Sequence, residues 1–315
     1  MSRHVLVTGG AGFIGSHLVD AFLERGDRVS IIDNLSTGDL RNLNPKAEFH
    51  EADLREERTI ELVRSLQPDL VSHHAAQIDV RHSVADPAID AEINIVATVR
   101  LLQASLDAGV KRFVFASTGG AIYGEPITEP QDEDHPAHPL SPYGCAKLSV
   151  EHYMHYFREI HGLSTIALRY ANIYGPRQNS RGEAGVIAIF ADRLLRGAEV
   201  TINGDGEQTR DYVFVDDVVR ANMAVCDDLS LTGPFNVGTG IESSVNELYR
   251  HLAAAAGVDR DAHHGPAKAG EQRRSVLDGR KLRGIAKLPE PVRLSEGLQR
   301  TLDWFRLFVV ESAPS

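Results

Sequence analysis

Residues 5–15 read VLVTGGAGFIG, an apolar run followed at once by four closely spaced glycines. The apolar run predicts a buried strand, and the spacing of apolar residues from Phe13 onward predicts a helix. Between them, Gly10, Gly12 and Gly15 form the pattern G-x-G-x-x-G, whose missing side chains permit a tight turn and a close approach to a pyrophosphate. Amides at the start of the helix would point at those phosphates. The stretch therefore predicts a dinucleotide site.

An acidic residue near the predicted end of the second strand narrows the choice of dinucleotide. Asp33 follows Gly15 by 18 residues, where a carboxylate can accept hydrogen bonds from both hydroxyls of the adenosine ribose. The same charge would repel a 2′-phosphate. The sequence therefore predicts NAD rather than NADP.

Beyond this junction, short apolar runs alternate with helical stretches through the first half of the chain. The further strands are expected at residues 29–33, 70–73, 113–117 and 166–169. Apolar strands without alternation, separated by helices, are typical of a parallel sheet covered on both faces. We therefore expect an α/β fold, a doubly wound parallel (Rossmann) sheet over residues 1–174 and a smaller α/β substrate domain over 175–315. Parts of 211–240 are allowed to return to the first domain.

Composition excludes several classes of protein. The net charge of −11 gives no general basic field for nucleic acid, and no apolar run reaches the roughly 18 residues of a membrane helix. The two cysteines cannot form a disulfide framework. Because an apolar run starts at Val5, we expect no signal peptide. We expect a cytoplasmic protein without a metal, since His73 and His74 have no third ligand at suitable spacing.

A second motif supplies candidate catalytic groups. Tyr143 and Lys147 are four residues apart in a helical stretch and so share one helix face. A tyrosine with a pKa near about 10 is a poor base, but a lysine ammonium and a cationic nicotinamide nearby would stabilise its phenolate. The pair predicts proton abstraction beside the dinucleotide.

Taken together, these motifs resemble the extended short-chain dehydrogenase/reductases of the UDP-glucose 4-epimerase type, and the resemblance covers nearly the whole chain. It includes TGGAGFIG at 8–15, STGGAIYG at 117–124, RYAN at 169–172, RDY at 210–212 and LPEPVRLSEGL at 288–298. The cofactor residues that it implies are Gly9, Gly12, Phe13, Ile14, Gly15, Asp33, Asn34, Ser36, Thr37, Gly38, Asp53, Leu54, His74, Ala75, Ala76, Gln77, Asn94, Ser117, Tyr143 and Lys147.

The resemblance also implies the reaction and the substrate contacts. Tyr143 would take the proton of a sugar 4-hydroxyl, Lys147 would hold the nicotinamide ribose, and Thr118 would hydrogen-bond O4, giving 4-epimerisation of a UDP-hexose through a transient 4-keto sugar. Many members carry this hydroxyl four residues before the Tyr-Gly pair, where this chain has Gly119; Ser117 is the alternative to Thr118. The implied substrate residues are Thr118, Tyr143, Asn172, Gly185, Val186, Arg210, Lys268, Glu271 and Ser275.

Two departures from the family pattern leave alternatives open. Lys268 stands where the family has a second arginine for the diphosphate, and Arg273 or Arg274 is an alternative. Ser275 stands where the family has a bulky tyrosine. The smaller serine leaves room for an N-acetyl group, which would add UDP-GlcNAc and UDP-GalNAc to UDP-glucose and UDP-galactose as substrates; the alternative is that other residues fill this space. The family further implies a homodimer through helices near residues 89–108 and 143–161.

The rival interpretations differ in the residues they require. A sugar 4,6-dehydratase would need an Asp-Glu pair directly after the catalytic threonine, but Gly119 and Gly120 follow Thr118. A UDP-glucuronate epimerase or decarboxylase would need a site for the C6 carboxylate, for which no motif is evident. A non-catalytic NAD-binding regulator would be expected to lack Tyr143 or Lys147, and both are present.

Overall fold

Strands and helices alternate through the first half of the chain. The structure is a computed structural model that describes residues 2–180, 185–267 and 272–311. Up to residue 170 its elements are β1 His4–Thr8, α1 Phe13–Glu24, β2 Arg28–Asp33, β3 Glu48–Glu51, α2 Glu57–Leu66, β4 Leu70–His73, α3 Val80–Ala85, α4 Pro87–Ala91, α5 Ala97–Asp107, β5 Arg112–Thr118, α6 Gly119–Ile122, α7 Pro142–His161 and β6 Thr165–Tyr170. A 3-10 turn spans Leu40–Asn42, and a π-helical turn, Glu92–Val96, joins α4 to α5.

The second half is built from shorter elements. They are β7 Asn172–Tyr174, α8 Val186–Leu195, β8 Thr201–Asn203, β9 Thr209–Phe214, α9 Val215–Asp227, β10 Gly233–Val237, β11 Glu242–Ser244, α10 Val245–Ala256, β12 His263–Gly265, α11 Arg280–Ile285 and α12 Leu294–Glu311. Ser244 caps helix α10, since its hydroxyl accepts a hydrogen bond from the Glu247 amide at 3.1 Å.

Parallel strands form the large sheet, which in the described ranges has seven members in the order β10-β6-β5-β4-β1-β2-β3. The direction of winding reverses between β1 and β4, which pair in parallel with Thr8 opposite His73. Ligands of doubly wound sheets bind outside the carboxyl ends of the strands at such a reversal. The predicted fold class is confirmed.

Apolar side chains cover both faces of this sheet. Helices α1 and α9 pack on one face around residues such as Leu18 and Val218, and α5 and α7 pack on the other around Leu101 and Val150. A separate cluster lies in the second half, between α8, α10 and α12, with Phe190, Leu248 and Leu298 at its centre. Of the helices that the structure describes, none has the length and apolar character needed to cross a membrane.

Most of the strands that the sequence failed to predict have three to five residues. Strand β10 lies within residues 211–240, for which a return to the first domain is allowed, and pairs with β6, with Phe235 opposite Leu168. Helix α9 packs against α1. Two further small sheets, counted within the described segments, have the orders β11-β9-β7 and β12-β8. Strands of three residues such as β7, β11 and β12 carry too little pattern to be predicted from sequence alone.

Candidate active site

The glycine-rich junction between β1 and α1 is shaped so closely that side chains cannot fit. Gly9 has φ +71°, and a Cβ there would lie 2.7 Å from the amide nitrogen of Ala75. A Cβ on Gly15 would lie 2.1 Å from the carbonyl oxygen of Gly9. Helix α1 begins after Gly12 without a side-chain cap from any described residue. Its first amides, those of Phe13 and Ile14 among them, are therefore oriented to bind an anion.

The Asp33 carboxylate stands beside this junction at the end of β2. Its Oδ2 accepts a hydrogen bond from the Ala11 amide at 3.0 Å and its Oδ1 accepts one from the Leu35 amide at 2.8 Å. The residue is 8 % exposed, and Gly38 lies so close that a Cβ there would approach Oδ1 to 2.9 Å. Each oxygen keeps a lone pair for a further donor. The junction and this carboxylate fit the pyrophosphate and ribose of NAD.

Asp53 is held by a different set of donors at the neighbouring edge. Its Oδ2 accepts hydrogen bonds from Asn34 Nδ2 at 2.9 Å and from the Arg55 guanidinium at 2.8 Å. The Arg55 hydrogen bonds hold the pKa of Asp53 far below its usual range. Leu54 beside it is buried, whereas Ser36 and Thr37 are exposed on the loop after β2. These residues surround the side of the junction where an adenine could lie.

The end of β4 brings two histidines against the first strand. Thr8 Oγ1 lies 2.6 Å from His73 Nδ1 and accepts a hydrogen bond from the Ala75 amide at 3.3 Å. His74 Nε2 lies 3.1 Å from the Tyr170 hydroxyl, and burial lowers the pKa of His74 to about 3. Both rings are therefore neutral at physiological pH. Over the described ranges, no cluster of three or more metal-ligating side chains exists.

A buried amide network continues from β4 into the π-helical turn. The Gln77 amide donates to Asn94 Oδ1 at 3.0 Å, and Asn94 Nδ2 donates back to the Gln77 carbonyl at 2.9 Å. Both side-chain amides also donate to Asp90 Oδ1 at 2.9 Å. Asp90 is a site residue that was not predicted from the sequence; it lies four residues before Asn94, so the two share one helix face. Ala76 precedes Gln77 and is partly buried.

Tyr143 and Lys147 lie on the first turns of α7, which Ser141 caps by accepting the Gly144 amide at 3.1 Å. Lys147 is 4 % exposed; its Nζ donates to the Ala116 carbonyl at 2.8 Å and lies 5.7 Å from the centre of the Tyr143 ring. Burial lowers the pKa of Lys147 to about 8 and raises the pKa of Tyr143 above its ordinary value. Unassisted, this partly buried tyrosine would stay protonated.

The two hydroxyls that the sequence left as alternatives point to different neighbours. Ser117 is buried, and its Oγ donates to Glu151 Oε1 at 2.6 Å. Thr118 ends β5 and makes no side-chain hydrogen bond to any residue in the described ranges. A Cβ on Gly120 would lie 4.0 Å from Thr118 Oγ1 and from Asn172 Oδ1, so these two side chains flank one open position.

The predicted substrate-binding residues differ in their exposure and in what they contact. Asn172 is exposed at the start of β7, and Gly185, the N-cap of α8, precedes Val186 and packs against Gln178. Arg210 is partly buried and donates to the Thr209 carbonyl at 2.8 Å. Arg210 forms no ion pair with any residue that the structure describes, so its guanidinium remains available for an anionic ligand.

The alternatives for the second diphosphate cation differ from Arg210. Arg273 forms a two-pronged ion pair with Asp205 at 3.0 Å, and Arg274 pairs with both Glu129 and Glu242. Lys268 and Glu271 lie outside the described residues. Ser275 is 3 % exposed, and its carbonyl accepts the Asp211 amide at 2.9 Å, which puts it beside Arg210 and β9.

Comparisons with known proteins agree with this geometry. The model of the NAD-dependent epimerase/dehydratase family matches residues 5–238. The UDP-glucose 4-epimerase of Mycolicibacterium smegmatis is 44 % identical over 306 residues, covering 96 % of this chain and 98 % of that protein.

Two solved structures are also similar over almost their whole length. The Thermotoga maritima UDP-glucose 4-epimerase, solved with UDP-glucose, has a TM-score of 0.94 and 48 % identity and covers 97 % of this chain and 99 % of its own. The Thermus thermophilus UDP-glucose 4-epimerase, solved with NAD, has a TM-score of 0.91 and 44 % identity and covers 96 % and 99 %. The predicted cofactor, NAD, is confirmed at the level of the family. The chain belongs to the NAD-dependent epimerase/dehydratase family.

Proposed function

We propose that this protein catalyses the 4-epimerisation of a UDP-hexose, interconverting UDP-glucose and UDP-galactose. The observation that carries the proposal is the convergence of Tyr143, Lys147 and Thr118 at the carboxyl end of β5, beside a junction that fits NAD. The similarity to the Thermotoga maritima protein, solved with UDP-glucose, supports a UDP-sugar as the substrate.

Tyr143 is the proposed base. Its hydroxyl makes no hydrogen bond within the described part of the chain, so its phenolate form is free to meet the sugar 4-hydroxyl and to accept its proton. When bound, NAD supplies an oxidised nicotinamide that takes up and returns the hydride of C4 and carries positive charge. Loss of the O4 proton and of the C4 hydrogen as hydride leaves a 4-keto sugar. Return of the hydride to the opposite face of C4, and of the proton from Tyr143 to O4, gives the epimer.

Lys147 and Thr118 assist this base. A buried ammonium 5.7 Å from the tyrosine ring stabilises the phenolate electrostatically and counteracts the burial that raises the pKa of Tyr143. Thr118 is proposed to donate a hydrogen bond to O4. Its unengaged hydroxyl supports this choice over Ser117, whose hydroxyl is bonded to Glu151.

Arg210 is the proposed partner of the diphosphate, together with Asn172 and the start of α8 at Gly185 and Val186. An arginine presents a fork of donors that matches phosphate oxygens, and this guanidinium is not engaged by a described carboxylate. The ion pairs of Arg273 and Arg274 argue against either as the second cation. We therefore assign that role to Lys268, with Glu271 nearby in the same segment.

The same arrangement disfavours a dehydratase. Elimination of water needs an acid and a base directly after the catalytic threonine, where this chain has Gly119 and Gly120. A Cβ on Gly119 would lie 2.3 Å from Leu277 Cδ1, so an acidic side chain there would have to displace the buried Leu277 side chain. We propose further that residues 1–174 with β10 hold the cofactor and that residues 175–315 supply most of the sugar-nucleotide contacts.

Ser275 supports a wider sugar range. A buried serine beside β9 is smaller than a tyrosine by a whole ring, and interiors do not yield freely to added volume. We propose that UDP-GlcNAc and UDP-GalNAc are also interconverted. The test is the Ser275→Tyr variant, which should lose turnover of the N-acetyl sugars and keep that of UDP-galactose. A wild-type protein that epimerises UDP-galactose but leaves UDP-GalNAc unchanged would contradict the idea.

We also propose a cytoplasmic homodimer. Four apolar side chains on the outer face of the π-helical turn and α7 are 44–66 % exposed: Val96, Tyr153, Tyr156 and Ile160. Their burial against a second copy would remove this apolar area from water. Light scattering should give twice the chain mass for the wild type and a lower mass for Ile160→Glu.

The cysteines support the cytoplasm as the compartment. Cys145 and Cys226 are unpaired thiols, as expected in a reducing compartment.

The direct test of the function uses four substrates. Purified protein is incubated separately with UDP-glucose, UDP-galactose, UDP-GlcNAc and UDP-GalNAc, and the epimers are separated by chromatography. The proposal expects mixtures of epimers from each pair. If none of the four is converted while NAD is bound, the chain is not a UDP-hexose 4-epimerase.

A further inference from the structure

Asp90 is a buried carboxylate beside the catalytic pair, and the proposed reaction does not use it. It lies on α4, is 1 % exposed, and receives hydrogen bonds on Oδ1 from Gln77 and Asn94. Its other oxygen, Oδ2, is buried without a hydrogen-bond donor from any described residue. Burying half of a carboxylate without a donor is costly unless a positive charge lies nearby.

Lys147 is the buried cation that acts on Asp90. Helix α4 packs against α7. The Asp90 charge raises the pKa of the Lys147 ammonium, against the effect of burial, and also raises the pKa of the Tyr143 phenol. The exposed His82 on α3 also interacts electrostatically with the Asp90 carboxylate. Helix α3 also contacts the start of α7 through an uncharged group: the Ser83 hydroxyl accepts a hydrogen bond from the Tyr143 backbone amide at 3.3 Å.

The other ionisable groups around Lys147 are already committed. Glu151, one turn further along α7, forms an ion pair with Arg169 at 2.6 Å and accepts the Ser117 hydroxyl. The two histidines that face Lys147 from β4 are neutral, since burial lowers the pKa of both His73 and His74. Asp90 is therefore the nearby anion without an arginine partner.

We propose that Asp90 is a positioning residue of the catalytic pair: its buried carboxylate is the counter-charge that keeps Lys147 positive and sets the pH range in which Tyr143 acts as a base. The proposal rests on the proposed function for the roles of Tyr143 and Lys147. A negative charge at Asp90 favours the protonated forms of both groups. It therefore holds both limbs of the pH–rate profile at higher pH than the catalytic pair alone would give.

The first test is the pH profile of Asp90→Asn in the full-length protein with its bound NAD. Asparagine can keep an acceptor toward Gln77 and Asn94 while it removes the charge. With UDP-galactose, both limbs of kcat/KM against pH should shift to lower pH by roughly one unit. Glu92→Gln, which removes an exposed charge two residues away, should leave both limbs in place. Lower activity of Asp90→Asn with unmoved limbs would overturn the proposal.

The second test is reciprocal and needs no substrate. The carboxyl carbon of Asp90 is titrated by NMR in the wild type and in Lys147→Met. Loss of the ammonium should raise the pH at which Asp90 takes up its proton, by roughly one unit. An unchanged titration would overturn the proposal even if Asp90→Asn does not fold. A wild type that fails to epimerise UDP-sugars yet has this coupling would contradict the proposed function and leave the role of Asp90 standing.

Discussion

The cofactor side and the substrate side of the site differ in what holds their residues. On the cofactor side, Asp33 is fixed by two backbone amides, and Gly9 and Gly15 are required by the backbone itself. On the substrate side, Arg273 and Arg274 are held by carboxylate side chains, and Arg210 by one carbonyl. The positions of Asp33, Gly9 and Gly15 therefore follow from strand and turn geometry, whereas the surroundings of Arg210 depend on which neighbouring side chains pair.

This difference has a functional consequence. A backbone-built site tolerates few changes, because a substitution displaces the turn itself. A site built from side-chain pairs can change its specificity through one residue, as proposed for Ser275. Substitutions on the two sides should therefore differ in kind as well as in size.

The largest effect is expected where the two sides meet, at Tyr143. Tyr143→Phe keeps the ring and removes the base, so turnover should fall about 10²- to 10⁴-fold while bound NAD is retained. Steady-state rates with UDP-galactose and the NAD content of the purified variant check this. Tyr153→Phe, on the exposed part of the same helix, is the matched control. Near-normal turnover in Tyr143→Phe would mean that another group is the base.

A smaller effect is expected on the cofactor side at Asp33. Asp33→Asn removes the charge that receives the ribose hydroxyls, and charge-assisted hydrogen bonds contribute about 1.5–3 kcal/mol, so NAD should bind roughly tenfold or more weakly. The preference against NADP should also relax. Titration of apo-protein with both cofactors measures this, with Asp39→Asn on the adjacent loop as control. Equal binding of NAD and NADP by the wild type would contradict the assigned role of Asp33.

The same contrast explains how much could be predicted from the sequence. The glycine motif, Asp33 and the Tyr143–Lys147 spacing are local patterns, and the sheet and its first helices follow from them. The Gln77–Asp90 and Ser117–Glu151 hydrogen bonds depend on packing between different elements, so no local pattern predicts them. A return of parts of residues 211–240 to the first domain could be allowed for, but the register of β10 depends on long-range pairing with β6.

On the substrate side, Arg210 and Arg273 give a matched pair. Arg210→Ala should raise KM for UDP-galactose by about tenfold with a smaller change in kcat, because a charged hydrogen bond to the diphosphate is lost. Arg273→Ala breaks only an exposed ion pair with Asp205, and such pairs contribute little, so KM should stay within about twofold. A larger effect from Arg273 than from Arg210 would reverse the assignment.

The smallest effect is expected on the stability of the fold at acidic pH. The pKa of His74 is lowered to about 3 in the folded protein and lies near about 6.5 when unfolded, so the unfolded state binds the extra proton between these values. The contribution of neutral His74 to the free energy of unfolding is complete above about pH 6.5 and is lost as the pH falls. Urea unfolding of His74→Asn should show a shallower loss between about pH 6 and 4, by about 1 kcal/mol per pH unit. The exposed His251→Asn should match the wild type.

The most direct measurement of the central claim follows the hydrogen on C4. UDP-galactose carrying deuterium at C4 is incubated with wild-type protein, and the UDP-glucose formed is analysed by mass spectrometry and NMR. The account predicts UDP-glucose that retains the deuterium at C4, with turnover abolished or reduced by orders of magnitude in Tyr143→Phe. Formation of UDP-glucose that has exchanged its C4 deuterium for solvent hydrogen, or no formation of UDP-glucose at all, would contradict it.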